Sequence, residues 1–321
     1  LLITTPSATV GLFDMMAILR GKEAGGQSAL AWPGFSYVAF RLMPPIPDRL
    51  SGRLPSVTLA EYANYVILFP AITAGPIYRL ERFVSGLNAP LRLDADGWLD
   101  AGQRVFIGLF KKFVVADALA WIALNESFAR DAQSVGWLWT LLYAYSLRIY
   151  FDFSGYTDIA IGLGRLLGIR LPENFDSPYL KPNLAQFWNS WHITLTQWFR
   201  SYFFNPLARA LRSASKPVSP WMLILFSQVT TMVLIGLWHG VTMNYILWGL
   251  WHGCGLFIQN RWSEFARARF SQQALPVSLQ RGVQFVGTFL TFNFVSLGWL
   301  FFALPTPESA WSAMLKLAGG L

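Results

Sequence analysis

The stretch WMLILFSQVTTMVLIGLWHGVTMNYILWGLWHGCGLFIQ, residues 221–259, decides how the chain folds. It holds two apolar runs, 221–238 and 241–259, each long enough to cross a bilayer as a helix. One histidine, His239, closes the first run and another, His252, lies inside the second. Ionisable side chains at membrane depth are costly, so they face a cavity or a polar partner rather than lipid. A third spanning candidate follows at 282–304. The tetrapeptide Leu237-Trp238-His239-Gly240 is echoed by Leu250-Trp251-His252-Gly253, but no repeat occurs at domain scale, and one continuous all-α domain over 1–321 is expected.

The composition of the whole chain points the same way. Of 321 residues, 54% are hydrophobic and 13% charged, about half the charged share of a soluble domain. Mean hydropathy is +0.39, with 15 Trp and 26 Phe. A soluble protein has too few polar groups here to cover its surface, whereas a lipid-facing one does not need them. The net charge of +8 does not indicate a nucleic-acid partner. The basic residues stand in short groups beside apolar runs (Arg79 and Arg82, Lys111 and Lys112, Arg209 and Arg212, Arg267 and Arg269), as in the cytoplasmic loops of a multi-pass protein of the cell inner (plasma) membrane. The single cysteine, Cys254, excludes an intramolecular disulfide and a Cys-based zinc cluster, and in its apolar run it reads as a small core hydrophobe. The chain begins Leu-Leu-Ile without an initiator Met or a signal-peptide pattern, and it is expected to lack earlier spans.

Along the chain, no span can be placed over 1–33. Residues 34–50 start as a helix that Pro44, Pro45 and Pro47 should stop. The run 57–77 is long enough to span, with Pro70 and Gly75-Pro76 kinking or ending it, and 80–97 reads as an extramembrane loop. A helix over 103–124 is interrupted by Lys111-Lys112, whose side chains snorkel. Two apolar stretches follow at 135–151 and 153–168, the second with Gly155, Gly162, Gly164 and Gly168 at spacings that let membrane helices approach. The aromatic segment 183–204 is too polar for a lipid-facing span and is placed as a re-entrant or interior helix lining a wet cavity, with a basic linker after it at 209–219.

All three histidines, His192, His239 and His252, stand among apolar or aromatic residues. A buried structural role is the default for such a residue. It weakens for His239, which follows the run TTMVLIGLW and precedes Gly240, because neutral imidazole is well suited to proton transfer near neutral pH. Spacings of 47 and 13 residues match no local metal-ligand pattern, so no metal is expected. No G-x-S-x-G elbow is present either. Asp152 and Asp158, in FDFSGYTD, are six positions apart on a helix. Helix-end capping, or a network with Tyr156 and Arg148, competes with a substrate-binding role for Asp152 and Tyr156. Arg200 is either a clamp for an anionic group or an interfacial anchor.

Three segments, FDFSGYTDIAIGLGRLLGIRLPENFDSPYL, FWNSWHITLTQWFRSYFFNPL and GLWHGVTMNYILWGLWHG, occur in that order. Together they resemble the membrane-bound O-acyltransferase family, in its bacterial branch of polysaccharide O-acetyltransferases such as the alginate O-acetylation subunit. The likeness runs from about residue 57 to about residue 260, and GFSYVAFRLM and LFPAITAGPIYRLERF upstream share it. It implies a multi-helix funnel around a buried channel in which acyl donor and acceptor meet. It makes His239 the catalytic residue and His192 its partner. Relatives acting on lipids or proteins often carry Asn or Asp at the place of His192, while the polysaccharide branch carries His. Asn205-Pro206-Leu207-Ala208-Arg209 departs from the I-P-L-G-G loop of the alginate-type proteins, which leaves the acceptor open.

The expected reaction moves a short acyl group, acetyl first of all, from a thioester (acetyl-CoA or an acyl carrier) to a hydroxyl of an envelope or extracellular polysaccharide. No cofactor is expected to be bound. Membrane lipid and periplasmic or extracellular acetylation proteins are the expected partners. Trp188, Trp191 and Trp238 would wall the substrate site, although helix packing accounts for each one singly. D-alanyl transfer to teichoic acid, a glycan or lipid transporter, and a non-catalytic scaffold are the alternatives.

Overall fold

The computed structural model describes residues 35–52, 54–89, 94–216, 218–270 and 276–319; the segment 1–33, where the sequence places no span, lies outside them. In chain order the helices are α1 (Phe35–Leu42), α2 (Pro45–Leu50), α3 (Leu59–Val66), α4 (Leu80–Leu87) and α5 (Ala95–Phe110). A π-helical turn, Lys111–Ala116, joins α5 to α6 (Asp117–Ala120), and α7 (Glu126–Asp131) and α8 (Val135–Leu166) follow. Next come α9 (Leu184–Ser190), α10 (Ile193–Phe199), a second π turn at Arg200–Phe204 and α11 (Asn205–Arg212). The last are α12 (Pro220–His239), α13 (Met243–Phe270), α14 (Val277–Gly298), α15 (Leu300–Ala303) and α16 (Pro307–Leu317). Among the described residues there is no strand, only one isolated antiparallel bridge between Phe175 and Trp191.

Several boundaries differ from the sequence reading, each for a local reason. The prolines after α1 do stop it, and they also open α2, where Pro45 occupies the first turn and its missing N–H costs nothing. The run 57–77 is no span. It breaks into α3 and a 3-10 turn at Phe69–Ala71. The carbonyls freed there are taken by the buried guanidinium of Arg41, which donates to Tyr65 and Val66 at 3.4 and 3.1 Å and to Ala71 at 2.5 Å. The expected loop 80–97 contains α4 and the start of α5, which Asp94 caps by accepting from the Gly97 N–H at 2.9 Å. The stretches 135–151 and 153–168 fuse into one 32-residue helix, because neither Pro nor a helix-ending glycine stands between them. The single helix expected over 183–204 is cut in two at His192, and the linker expected from 209 begins inside α11. Cys254 is exposed on the outside of α13 rather than in the core.

Small residues set the closest helix contacts. On the α5–α8 seam, a Cβ added at Gly155 would lie 2.8 Å from the Gly108 carbonyl oxygen and 2.9 Å from the Lys112 nitrogen. Gly162 faces Val105 and Ala101 in the same way. This close approach lets Lys111 reach Asp158 at 2.7 Å and Lys112 reach Asp152 at 2.5 Å. Arg104 pairs with both Asp158 and Glu173. The lysines therefore point into the seam instead of snorkelling, and Arg148 is not the partner of these carboxylates. The α12–α13 hairpin is equally tight, with Gly236 against Tyr245, Gly249 against Val233 and Gly253 against Val229.

Two helices, Pro220–His239 and Val277–Ala303, are long and apolar enough to cross a membrane among the described residues. The candidate at 241–259 does not join them, since α13 carries Asn244, His252 and Gln259 and ends in Arg261, Glu264, Arg267 and Arg269. The outer faces are nonetheless greasy: Trp98, Phe106 and Phe113 near α5, and Phe285, Phe289 and Leu290 on α14, are all exposed. Exposed aromatic and aliphatic side chains in this number suit lipid better than water. Replacing Gly155 by Leu should lower stability by about 1–3 kcal/mol, because backbone on both sides blocks relief of the overlap. Thermal unfolding in detergent measures it, with Gly136→Leu, where a Cβ meets open space, as the control.

Candidate active site

The break between α9 and α10 is built by one side chain. Asn174 is fully buried, and its Oδ1 accepts from the Thr194 hydroxyl at 2.7 Å and the Thr194 N–H at 3.2 Å. Its backbone carbonyl accepts from the Ile193 N–H at 3.0 Å. The Thr194 hydroxyl in turn accepts from the Ile77 N–H at 3.0 Å. Between these anchors His192 is held at φ 43°, ψ 54°, in the left-handed region, which points its ring inward across the helix break.

Both ring nitrogens of His192 are engaged. Nδ1 lies 3.4 Å from Asn174 Oδ1, and Nε2 lies 3.3 Å from the Tyr37 hydroxyl. An amide oxygen can only accept, so Nδ1 donates and Nε2 accepts from Tyr37. The ring is 3% exposed, stacked on Tyr37 and set edge-on to Phe153 at 4.7 Å between centroids.

His239 is the last residue of α12. Its ring meets Trp238 at 4.5 Å, Phe302 at 4.9 Å and Trp248 at 5.7 Å. Trp238 joins the two histidines, since its ring is also 6.1 Å from His192 and 5.9 Å from Tyr37. Although 47 residues separate them in sequence, His192 and His239 thus meet the same indole. Unlike His192, His239 has a buried nitrogen, Nδ1, with no hydrogen-bond partner among the described groups.

The other residues picked from the sequence are dispersed. Trp188 packs edge-on to Trp248 and His252. Trp191 belongs to an aromatic core with Phe187, Tyr179 and Trp299 and touches neither His192 nor His239 by ring contact. Arg200 is exposed, donates to Asn189 at 2.6 Å and borders a cavity of about 220 Å³ that Trp188, Gln228 and Thr231 also line. Asp152 is held in the α5–α8 seam by Lys112. Tyr156 shares a 2.5 Å hydrogen bond with Thr73. His252 is fully buried. Tyr37, Asn174 and Thr194 were missed. Asn174 was the readable one, a lone amide in the Leu-Pro-Glu-Asn-Phe turn, while the role of Tyr37 needed the fold.

Residues 49–300 match the membrane-bound O-acyltransferase family. The chain belongs to that family. Among curated relatives it is 34% identical, over 87% of its length, to a probable alginate O-acetylase of Pseudomonas aeruginosa, covering 50% of that protein. It is 35% identical to a peptidoglycan O-acetyltransferase of Helicobacter pylori over 81% of its length and 46% of the relative. It is 32% identical to a teichoic acid D-alanyltransferase of Streptococcus thermophilus, over 87% of its length and 70% of the relative. The chain thus spans about half the length of the O-acetylases it matches. As a member of this family it is a membrane protein, and the family uses acyl donors rather than a bound cofactor.

Asn174→Ala should cost about 1–3 kcal/mol, the penalty for leaving the buried Thr194 groups unpaired. It should also loosen His192, and thermal unfolding in detergent measures the loss.

Proposed function

We propose that this protein is an O-acyltransferase that moves a short acyl group, acetyl in the main reading, from a thioester to a hydroxyl of a cell-envelope or extracellular polysaccharide. The observation that carries it is the meeting of His192 and His239 across Trp238 at the end of a membrane-spanning helix. Its setting is a multi-pass protein of the inner membrane, whose helices form a funnel and whose broken α9–α10 segment reaches the centre. Non-helical backbone at membrane depth is tolerated where it is buried in protein or lines a cavity, which suits the turn at His192.

In this reading the imidazole of His239 takes the proton from the acceptor hydroxyl as its oxygen attacks the thioester carbonyl. The C–S bond then breaks, and the imidazolium returns the proton to the departing thiolate. His192 is held from both sides, so it is the less available base. It orients the acceptor or the developing oxyanion, with Tyr37 setting its hydrogen-bond pattern. Trp238 forms the wall between them. The aromatic shell keeps water from the thioester and so suppresses hydrolysis. Acetylation partners outside the membrane would carry or receive the polysaccharide. A second reading, D-alanyl transfer to teichoic acid, is favoured by the larger share of that relative which the chain covers.

His239→Ala should abolish transfer, a loss of about a hundred- to ten-thousand-fold for a positioned base, at unchanged protein level. Base-released acetate or D-alanine from envelope glycans of complemented deletion cells measures this and tells the two readings apart. Full transfer by His239→Ala would leave a transporter or scaffold.

A further inference from the structure

A groove of about 1240 Å³ opens where α4, the start of α5 and the end of α8 meet, away from the contacts of His192 and His239. In α4, burial of Leu80, Phe83 and Val84 turns Glu81 and Arg82 outward into it. The end of α8 is a glycine turn. Gly168 has φ 77°, and the Ile169 N–H donates to the Gly164 carbonyl at 2.8 Å. The reversed chain buries Ile169 and Leu171 and leaves Arg170, between them, exposed at the groove. Asp94, Asp100 and Arg165 complete the charged lining.

Three acidic and three basic side chains line the groove, yet the local pairs leave a basic surplus. Glu81 meets Arg79, which stands outside the groove, at 3.6 Å, and Asp100 meets Arg165 at 4.0 Å. Asp94 spends its carboxylate on the first turn of α5, accepting from the Gly97 N–H at 2.9 Å. Arg82 and Arg170 have neither an ion pair nor a hydrogen bond among the described residues. A guanidinium presents a planar fork of donors that matches a phosphate. Two of them on one groove, without a carboxylate to hold, fit an anion better than solvent-facing anchors at separate places.

The level of the groove names the anion. Trp98, Leu99, Phe106, Phe110 and Phe113 are exposed along α5 and the π turn. Fifteen residues at the helical rise make about 22 Å, most of the roughly 30 Å hydrocarbon core of a bilayer. Gly97 and Asp100, which line the groove, flank the Trp98 end of this stripe, and Trp is enriched at the headgroup level. Basic pockets between helices at that level hold anionic head groups. We propose that the groove binds the phosphate of an anionic phospholipid, with Arg82 and Arg170 as its clamp and the chains lying on α5 beside Trp98 and Leu99. The phosphate then ties α4 to the end of α8. These two elements pack through apolar residues such as Phe83 and Ile161, and among the described residues no ion pair joins them.

The test uses the full chain in a neutral detergent, with phosphatidylglycerol, phosphatidylcholine or inorganic phosphate added at matched concentration. Phosphatidylglycerol should raise the midpoint of thermal unfolding by about 2–4 °C over phosphatidylcholine, as a ligand that binds only the folded state does. The double variant Arg82→Gln with Arg170→Gln should lose that rise and unfold in detergent alone as the unmodified protein does. Arg267→Gln with Arg269→Gln, a basic pair at the end of α13, should keep it. Native mass spectrometry should find phosphatidylglycerol retained by the unmodified protein and lost from the double variant. Should the double variant not fold, Arg170→Gln alone, at an exposed turn, carries the same comparison. A rise that persists without Arg82 and Arg170 overturns the site. An equal rise with inorganic phosphate alone overturns the lipid as its occupant. Equal retention of phosphatidylglycerol and phosphatidylcholine by the unmodified protein overturns the proposal without any variant.

Discussion

The close antiparallel contact of α12 and α13 is the constraint on which the site depends. Three glycines, Gly236, Gly249 and Gly253, let the two backbones touch. The hairpin then turns within a few residues of His239. That fixes where the imidazole stands and which rings surround it. In a lipid-facing protein such packing must come from shape, because lipid tails supply no hydrophobic drive between helices. A side chain at any of the three positions would push α13 away and carry Trp248 off the histidine.

The same logic governs the polar groups. Charges drawn into the helical body meet an opposite charge or a run of carbonyls at two places: Lys111 and Lys112 meet aspartates, and Arg41 meets the end of α3. Where a long apolar run is broken by proline, the exposed carbonyls are collected by a neighbouring cation. The α9–α10 break is the neutral counterpart, stabilised by one asparagine. The molecule therefore combines lipid-compatible outer faces with an interior in which irregular backbone is affordable.

Much of this was legible in the sequence. The apolar run ending in Trp-His-Gly gave the helix and the histidine together, and the glycines after Ser154 gave a tight seam. His192 and His239 could be paired through the family resemblance, and the fold joins them through Trp238. What failed was continuity. Asp152 resembled a helix end because its partner, Lys112, is 40 residues away, and the aromatic segment resembled one helix because nothing local marks His192 as a break. The signal lay in Asn174, 18 residues upstream, and sequence periodicity does not register a break imposed from a distance. Trp191 and Trp188 look alike in the sequence, yet one stacks on Phe187 and the other packs edge-on to Trp248 and His252. Only three-dimensional neighbours separate them.

The left-handed backbone at His192 restricts which amino acids evolution can place there. Outside glycine, that region of conformational space is enriched in Asn, Asp and His, and β-branched side chains are rare there. The resemblance that first singled out this position has Asn or Asp there in relatives that act on lipids or proteins. The three residues differ in acid–base chemistry but share a tolerance for the same turn. The permitted vocabulary at this position is thus set by chain geometry first, and substrate preference selects from the few words that remain.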